Sequence, residues 1–215
     1  MRTIAFFSSK GGSGKSTLSI HAAVAASFEH CVVLVDADPQ GTVLAWASNR
    51  SKPTPTVVRG EPSTIQHLLD RFRGDGFSLA IMDCPPHAAA GTSMLLMAAD
   101  HIAIPVQPTM PDLAATQRSL AMLRASCRPF SFVINRAPAR APEVLQAQDA
   151  LSASAPLSPI IIGDRRVFSR ALIDAAAVTE IARRDTKAAI EVVQYWHWLD
   201  TQSREMKPWS NRRAA

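Results

Sequence analysis

A chain of 215 residues is long enough to bury about 70% of the surface its unfolded form exposes, which excludes a disulfide-stapled miniprotein. Hydrophobic residues at 47% against charged residues at 19% exclude a disordered chain and predict a folded core. The net charge of +5 lies in the second half: residues 1–100 hold eight basic and eight acidic side chains and residues 101–215 fifteen and ten, a balance suited to an anionic partner.

Short Val/Ile/Phe-rich runs alternate with helical patterns along the chain. In order, the sequence predicts a strand over 3–8, a helix over 16–28, a strand over 31–36, a helix over 41–49, a strand over 56–59 and a helix over 64–72. A strand over 78–83, a helix over 91–98, a strand over 101–107, a helix over 113–126, a strand over 130–135, a helix over 142–152 and a strand over 159–163 follow. Residues 166–202 read as helical with a break near Asp185. Most strands are apolar without alternation, as strands buried on both faces are. The expected fold is α/β, a doubly wound, mostly parallel sheet flanked by helices. One domain over residues 1–203 is the simplest account, with 204–215 as a frayed tail. Ala189, Val192, Val193, Trp196 and Leu199 recur at helical spacing, so Tyr195, Trp196 and Trp198 are assigned to the core rather than to base stacking.

The run Lys10-Gly11-Gly12-Ser13-Gly14-Lys15-Ser16-Thr17 follows the first strand and opens the first helix. That context is what a phosphate-binding loop needs. Glycines let backbone N–H groups turn inward, the helix N-terminus adds partial positive charge, Lys15 neutralises β and γ phosphates, and the Ser16 hydroxyl can ligate Mg²⁺. The usual pattern has Gly where this chain has Ser9, and Lys10 is an additional cation at the start of the loop. Asp36 and Asp38 end the second strand at i and i+2, beside the phosphate site. Asp83 ends the fourth strand after Ala80-Ile81-Met82, the setting of a carboxylate that holds Mg²⁺ through water. All three segments fall at carboxyl ends of strands, where open α/β sheets bind ligands.

The segments Lys10 to Thr17, Asp36-Ala37-Asp38-Pro39-Gln40-Gly41 and Ile81-Met82-Asp83-Cys84-Pro85-Pro86 resemble the ParA/MinD family of deviant Walker ATPases, most of all short ParA-type partition ATPases. The resemblance runs to about residue 200, through Ile104 to Pro108 with Asp112-Leu113, Val133-Ile134-Asn135-Arg136, and Arg166 to Glu180. It implies a P-loop NTPase that hydrolyses ATP with Mg²⁺, weakly on its own, in a nucleotide-sandwich homodimer. It further implies that Lys10 reaches the partner's phosphates, that Asp38 orients the attacking water, that Asp36 and Asp83 tend the Mg²⁺ shell, and that Asn135 contacts adenine. Relatives often carry Gly where this chain has Ala175-Ala176-Ala177, a local departure. With the loop starting at residue 10, no helix-turn-helix precedes it, and sequence-specific operator binding is not expected.

The resemblance and the basic second half together imply an ATP-dependent partition or cargo-positioning enzyme. It would bind DNA nonspecifically as an ATP dimer at the nucleoid, in the cytoplasm, and be released when a small DNA-binding adaptor stimulates hydrolysis. Arg118, Arg124, Arg128, Arg136 and Arg140 span a stretch without acids, and Arg165, Arg166, Arg170, Arg183, Arg184, Lys187, Arg204, Lys207, Arg212 and Arg213 follow. A membrane-cycling ATPase of the MinD kind is the alternative. It would need an amphipathic carboxyl-terminal helix, which residues 203–215 lack, so no membrane partner is expected. No run approaches the roughly 18 apolar residues of a span. Cys31, Cys84 and Cys127 form no Cys-x-x-Cys pair and each adjoins an apolar stretch, which predicts reduced, mostly buried thiols.

Overall fold

Six runs of β-branched and aromatic residues become strands in the computed structural model, which describes residues 1–86, 91–181 and 186–205. They are β1 (Arg2–Phe6), β2 (Val32–Asp36), β3 (Thr56–Arg59), β4 (Leu79–Asp83), β5 (His101–Val106) and β6 (Phe130–Ile134). Every neighbouring pair runs parallel, in the order β3-β2-β4-β1-β5-β6. From β1 the chain builds toward β2 and β3, and after β4 it crosses to the opposite side for β5. The winding therefore reverses beside β1, and a crevice opens at its carboxyl end.

Alternate side chains of each strand point to opposite faces, and both faces are covered. Ile4, Phe6, Val32, Leu34, Leu79 and Ile81 enter one core. It is closed by α1 (Lys15–Ala26), α2 (Thr42–Ser48), α7 (Arg166–Ile173), α8 (Val178–Ile181) and α9 (Lys187–Glu205). Ala5, Phe7, Val33, Val35, Ala80 and Met82 enter the other, beneath α3 (Ile65–Gly74), α4 (Thr92–Ala98), α5 (Met110–Ala125) and α6 (Glu143–Ser152). Burial on both sides explains why the strand sequences do not alternate in polarity. Helix α1 is buried from Leu18 to Ala26, and its run of alanines lets it pass close to both the sheet and α9.

Several expectations need correction. Residues 159–163 are not a seventh strand. The Ile162 N–H donates to Ile134 and the Ala137 N–H to Ile162, at 2.9 and 3.0 Å, so the segment lies along β6. Pro159 has no N–H, however, and Ser158 Oγ takes the Ile160 N–H at 3.0 Å, so no regular ladder forms. Helix α5 starts at Met110 rather than 113, because Thr109 caps it and Pro111 is tolerated in its first turn. The region 166–202 breaks earlier than expected, after Ile173, in a turn where Ala175 has φ 48°. The expected break at Asp185 lies outside the described residues. Cys31 and Cys127 are exposed, at the edge of β2 and in the left-handed turn after α5, and only Cys84 is buried.

In the last helix Ala189, Val192, Tyr195, Trp196 and Leu199 are buried, whereas Val193 points outward. Arg204 and Glu205, expected to fray, still belong to α9, and Arg204 pairs with Asp200 at 2.9 Å. Residues 206–215 lie outside the described residues.

Candidate active site

The phosphate loop is shaped by what holds its carbonyls. The Gly12 carbonyl accepts from Gln107 Nε2 at 2.7 Å and from an Arg136 guanidinium N–H at 3.1 Å. The Ser13 carbonyl accepts from Asn135 Nδ2 at 2.7 Å. In a planar trans peptide the C=O and the following N–H point opposite ways. Tying back these two carbonyls therefore turns the N–H groups of Ser13 and Gly14 away from β5 and β6, into the crevice. Gly12 and Gly14 have φ 82° and 84°, and a Cβ on Gly14 would collide with Asn135. Ser13 Oγ donates to Ser8 Oγ at 2.7 Å and Ser8 Oγ to the Lys10 carbonyl at 2.8 Å, closing the loop on itself.

Lys15, Asp36, Asp38 and Asp83 are all buried at the strand ends. Lys15 Nζ donates to Asp83 Oδ1 at 3.0 Å and to Asp38 Oδ2 at 3.3 Å. Burial disfavours the ammonium, but the Asp83 and Asp38 carboxylates outweigh it and raise the lysine pKa. Burial pushes Asp83 up to about 6, against the opposing pull of Lys15. Parallel register sets Asp36 directly beside Asp83 on the adjacent strand. Both Asp36 oxygens accept backbone N–H groups, from Asp38 at 3.2 Å and Leu44 at 2.9 Å. Asp83 Oδ2, by contrast, is buried without a hydrogen-bond partner. Three carboxylates around one ammonium leave negative charge uncompensated, and the orphaned Asp83 oxygen fits a site that takes a hydrated divalent cation. Among the described residues no group of three His, Cys, Asp or Glu side chains converges into a protein-only metal cage. Ser16 lies in the first turn of α1 beside Asp83, and its hydroxyl helps hold that carboxylate charged.

Lys10 is not directed into this cluster. Its Nζ donates to Asp112 Oδ2 at 2.6 Å, an oxygen that also accepts the Thr109 hydroxyl at 2.8 Å. The Asp112 carboxylate is 3% exposed and the lysine 43%, so a buried acid holds a half-exposed cation at the loop's mouth.

A cavity of about 450 Å³ runs from this loop across α1 to the segment after β6. Its phosphate end is lined by residues 10–17 with Asp38, and its far end by Asn135, Ile162, Asp164 and Phe168. Asp36 and Asp83 lie beneath the wall rather than in it. Sequence reasoning gave the Gln107 tether and the Asp112 anchor no role and counted Arg136 only among the basic residues. Nothing in their spacing marks them, because each acts on the loop from about a hundred residues away.

The basic residues divide. Arg165 forms a two-pronged pair with Glu191 at 2.5 and 2.8 Å, and Glu191 also accepts the Gly163 N–H at 3.1 Å. Arg165 therefore fixes the far wall of the cavity. Arg166 and Arg170 are exposed one turn apart on α7, and Lys187 is exposed at the start of α9. Arg183 and Arg184 lie outside the described residues. No helix among the described residues is long and apolar enough to cross a membrane.

A glycine-rich loop between the central strand and a buried helix, with carboxylates at neighbouring strand ends, defines a P-loop nucleotide-binding enzyme. The model of the CobQ/CobB/MinD/ParA nucleotide binding domain matches residues 4–175. Maintenance of carboxysome distribution protein A of Halothiobacillus neapolitanus is 27% identical over 203 residues, 89% of this chain and 93% of that protein. Chromosome-partitioning ATPase Soj of Thermus thermophilus is 28% identical over 162 residues, 60% of this chain and 65% of Soj. The septum site-determining protein MinD of Pyrococcus horikoshii, solved with Mg-ADP, superposes with a TM-score of 0.76 at 17% identity, covering 94% of this chain and 97% of that one. The chain belongs to the CobQ/CobB/MinD/ParA family and is an ATPase of its ParA/MinD type.

Proposed function

We propose that the chain binds ATP with Mg²⁺, closes into a homodimer, and in that state binds DNA of any sequence at the nucleoid to position a large cargo. The loop whose carbonyls are tied back by Gln107, Arg136 and Asn135 carries this reading, because its inward N–H groups suit a polyphosphate. Gly11, Gly12, Ser13, Gly14 and Thr17 supply the cradle. Lys15 exchanges its carboxylate partners for β and γ phosphate oxygens. Bound Mg²⁺ would offset charge developing on the transferring phosphoryl group, with Ser16 and Asp83 as the side chains nearest to hold it. Asp36 serves chiefly as a fastener for the Asp38 turn and α2, since both its oxygens are occupied. Asp38, at the cavity wall, orients the attacking water. Asn135 acts first on the loop, leaving its Oδ1 for the base.

Lys10 leaves Asp112 for the partner's phosphates on dimerisation. Two triphosphates facing each other repel unless cations from both subunits intervene. The exposed Arg166, Arg170 and Lys187 supply DNA contacts, and dimerisation doubles the phosphates neutralised at once. A small DNA-binding adaptor stimulates hydrolysis and resets the cycle. The relatives named for carboxysome distribution and chromosome partitioning support a large body or a chromosome as the class of cargo.

A gel-shift series across salt, with and without ATP, tests the reading, alongside liposome co-sedimentation. ATP-dependent DNA binding is expected, with a log–log salt slope of about 0.9 per phosphate contact. The double variant Arg166→Ala/Arg170→Ala flattens the slope while sparing basal hydrolysis. Binding that ignores nucleotide or salt would reduce the basic excess to a solvated surface.

A further inference from the structure

The turn between α7 and α8 is held by side chains that come from the nucleotide side of the molecule. Trp46 Nε1–H donates to the Ala176 carbonyl at 3.2 Å, and Arg50 donates to the Ala175 carbonyl at 3.1 Å. Arg50 also grips Glu180 with two N–H groups, at 2.9 and 2.7 Å, and Lys52 adds a contact at 3.1 Å. The Glu180 carboxylate in turn accepts the Ala177 N–H at 2.8 Å. From α1, His21 Nδ1 accepts the Val178 N–H at 3.3 Å. Burial alone would raise the Glu180 pKa, but Arg50, the Ala177 N–H and Lys52 outweigh it and hold the carboxyl down at about 2.

Both anchoring elements start at the phosphate site. Helix α2 follows directly on Asp38 and Gln40, and its first turn is fastened by the Leu44 N–H to Asp36. Seven residues make it a rod of about 10 Å. Its other end delivers Trp46 and Arg50 to the turn. His21 lies on α1 six positions past Lys15, lines the nucleotide cavity, and keeps a buried Nε2 without a partner. At the centre of the turn Ala175 sits at φ 48°, a left-handed conformation that is strained for a non-glycine residue and persists only where surroundings hold it. Such a junction has contacts to lose and a strained residue to relax, which a two-state element requires.

We propose that residues 175–180 form a relay through which occupancy of the phosphate end, acting by way of Asp36 and α2 and by way of His21 on α1, sets the position of α8 and the start of α9. Arg50 and Glu180 are its positioning residues and touch no reacting atom. The proposal rests on the reading that the cavity takes a nucleotide, and the exposed basic residues of α7 and α9 lie on either side of the relayed segment.

Hydrogen exchange of the full chain, without nucleotide and with Mg²⁺ and a slowly hydrolysed ATP analogue, tests it. Protection of amides 11–17 reports nucleotide binding independently of the relay. With the loop protected, amides 177–181 change their exchange by about tenfold, within the usual range of coupling between sites. In Arg50→Lys, and separately in Trp46→Phe, loop protection persists and the response of the turn is lost. Linkage then requires nucleotide affinity in these variants to shift by about fivefold or more. A merely structural clamp would lower the melting temperature equally with and without nucleotide, leaving affinity unchanged. A protected loop with an unresponsive turn in the wild type overturns the relay, as does a response that survives both variants. An unprotected loop removes the nucleotide reading beneath it. The wild-type comparison stands even where a variant fails to fold.

Discussion

Two buried histidines should make this protein acid-sensitive well above the carboxylate range. His21 and His101 are fully buried, and burial holds their pKa values at about 3 and about 4, with Arg2 adding to the depression at His101. His101 Nε2 lies 2.8 Å from Ser131 Oγ, and its Nδ1 has no partner. A histidine whose folded pKa lies below its unfolded value near 6.5 contributes stability above that value. The contribution is lost as pH falls, because the unfolded chain takes up the proton first. Between pH 7.5 and 4.5 each ring removes about 2–3 kcal/mol, together about 5 kcal/mol. Asp83 opposes this: raised to about 6, it is protonated first in the folded state and returns about 2 kcal/mol over the same interval. The net loss, about 3 kcal/mol, is a large part of a typical domain's 5–15 kcal/mol. Urea unfolding at a series of pH values, without nucleotide, measures it. His101→Gln should reduce the acid-induced loss by about 2–3 kcal/mol whatever its effect at pH 7.5. A ring proton of His21 or His101 that titrates near pH 6.5 in the folded protein, or a variant with an unchanged acid slope, would refute the reasoning.

Lys15→Ala should abolish ATP binding in calorimetry, because it removes the cation at the head of the cradle. Asp38→Ala should bind ATP and dimerise but not turn over, and a wild-type hydrolysis rate would move the water-orienting role to another carboxylate. Lys10→Ala should bind ATP as a monomer, which sedimentation velocity reads directly. Asp112→Asn, which weakens the hold on Lys10, should dimerise at lower ATP concentration, and an unchanged threshold would mean the contact is incidental.

The sheet and the phosphate site were legible because each leaves a local signature. Buried parallel strands are continuous apolar runs, and a loop that cradles phosphates is glycine-rich in one short window. The failures share a cause as well. Residues 159–163 are as apolar as any strand, yet Pro159 and the Ser158 hydroxyl decide locally against a ladder. The break after Ile173 falls on alanines, good helix formers, because Trp46 and Arg50 hold the Ala175 and Ala176 carbonyls from far along the chain. Asp112, Gln107 and Glu180 went without roles, and Arg136 without its role at the loop, for the same reason: their partners are brought by topology. Charge counting had the opposite weakness. It grouped Arg165 with Arg166, although the first is neutralised by Glu191 and the second is exposed.

The pairing of Lys15 with Asp83 and Asp38 bears on how ATP enters. Bare triphosphate would draw Lys15 away from two buried carboxylates and place its own negative charge beside them, alongside Asp36. Each step adds negative charge beside Asp83, whose pKa burial already pushes up to about 6 despite the pull of Lys15. Ser16 and Asp83 are placed to hold a divalent cation bound with the nucleotide, which would supply the positive charge that the carboxylates lose when Lys15 turns to the phosphates. Affinity for the nucleotide should therefore depend steeply on Mg²⁺, and Asp83→Asn, which relieves the imbalance, should lessen that dependence while slowing hydrolysis. Calorimetric titration of ATP with and without a chelator measures both. Equal affinity in the two conditions for the wild type would show that the carboxylates are balanced by something other than the cation.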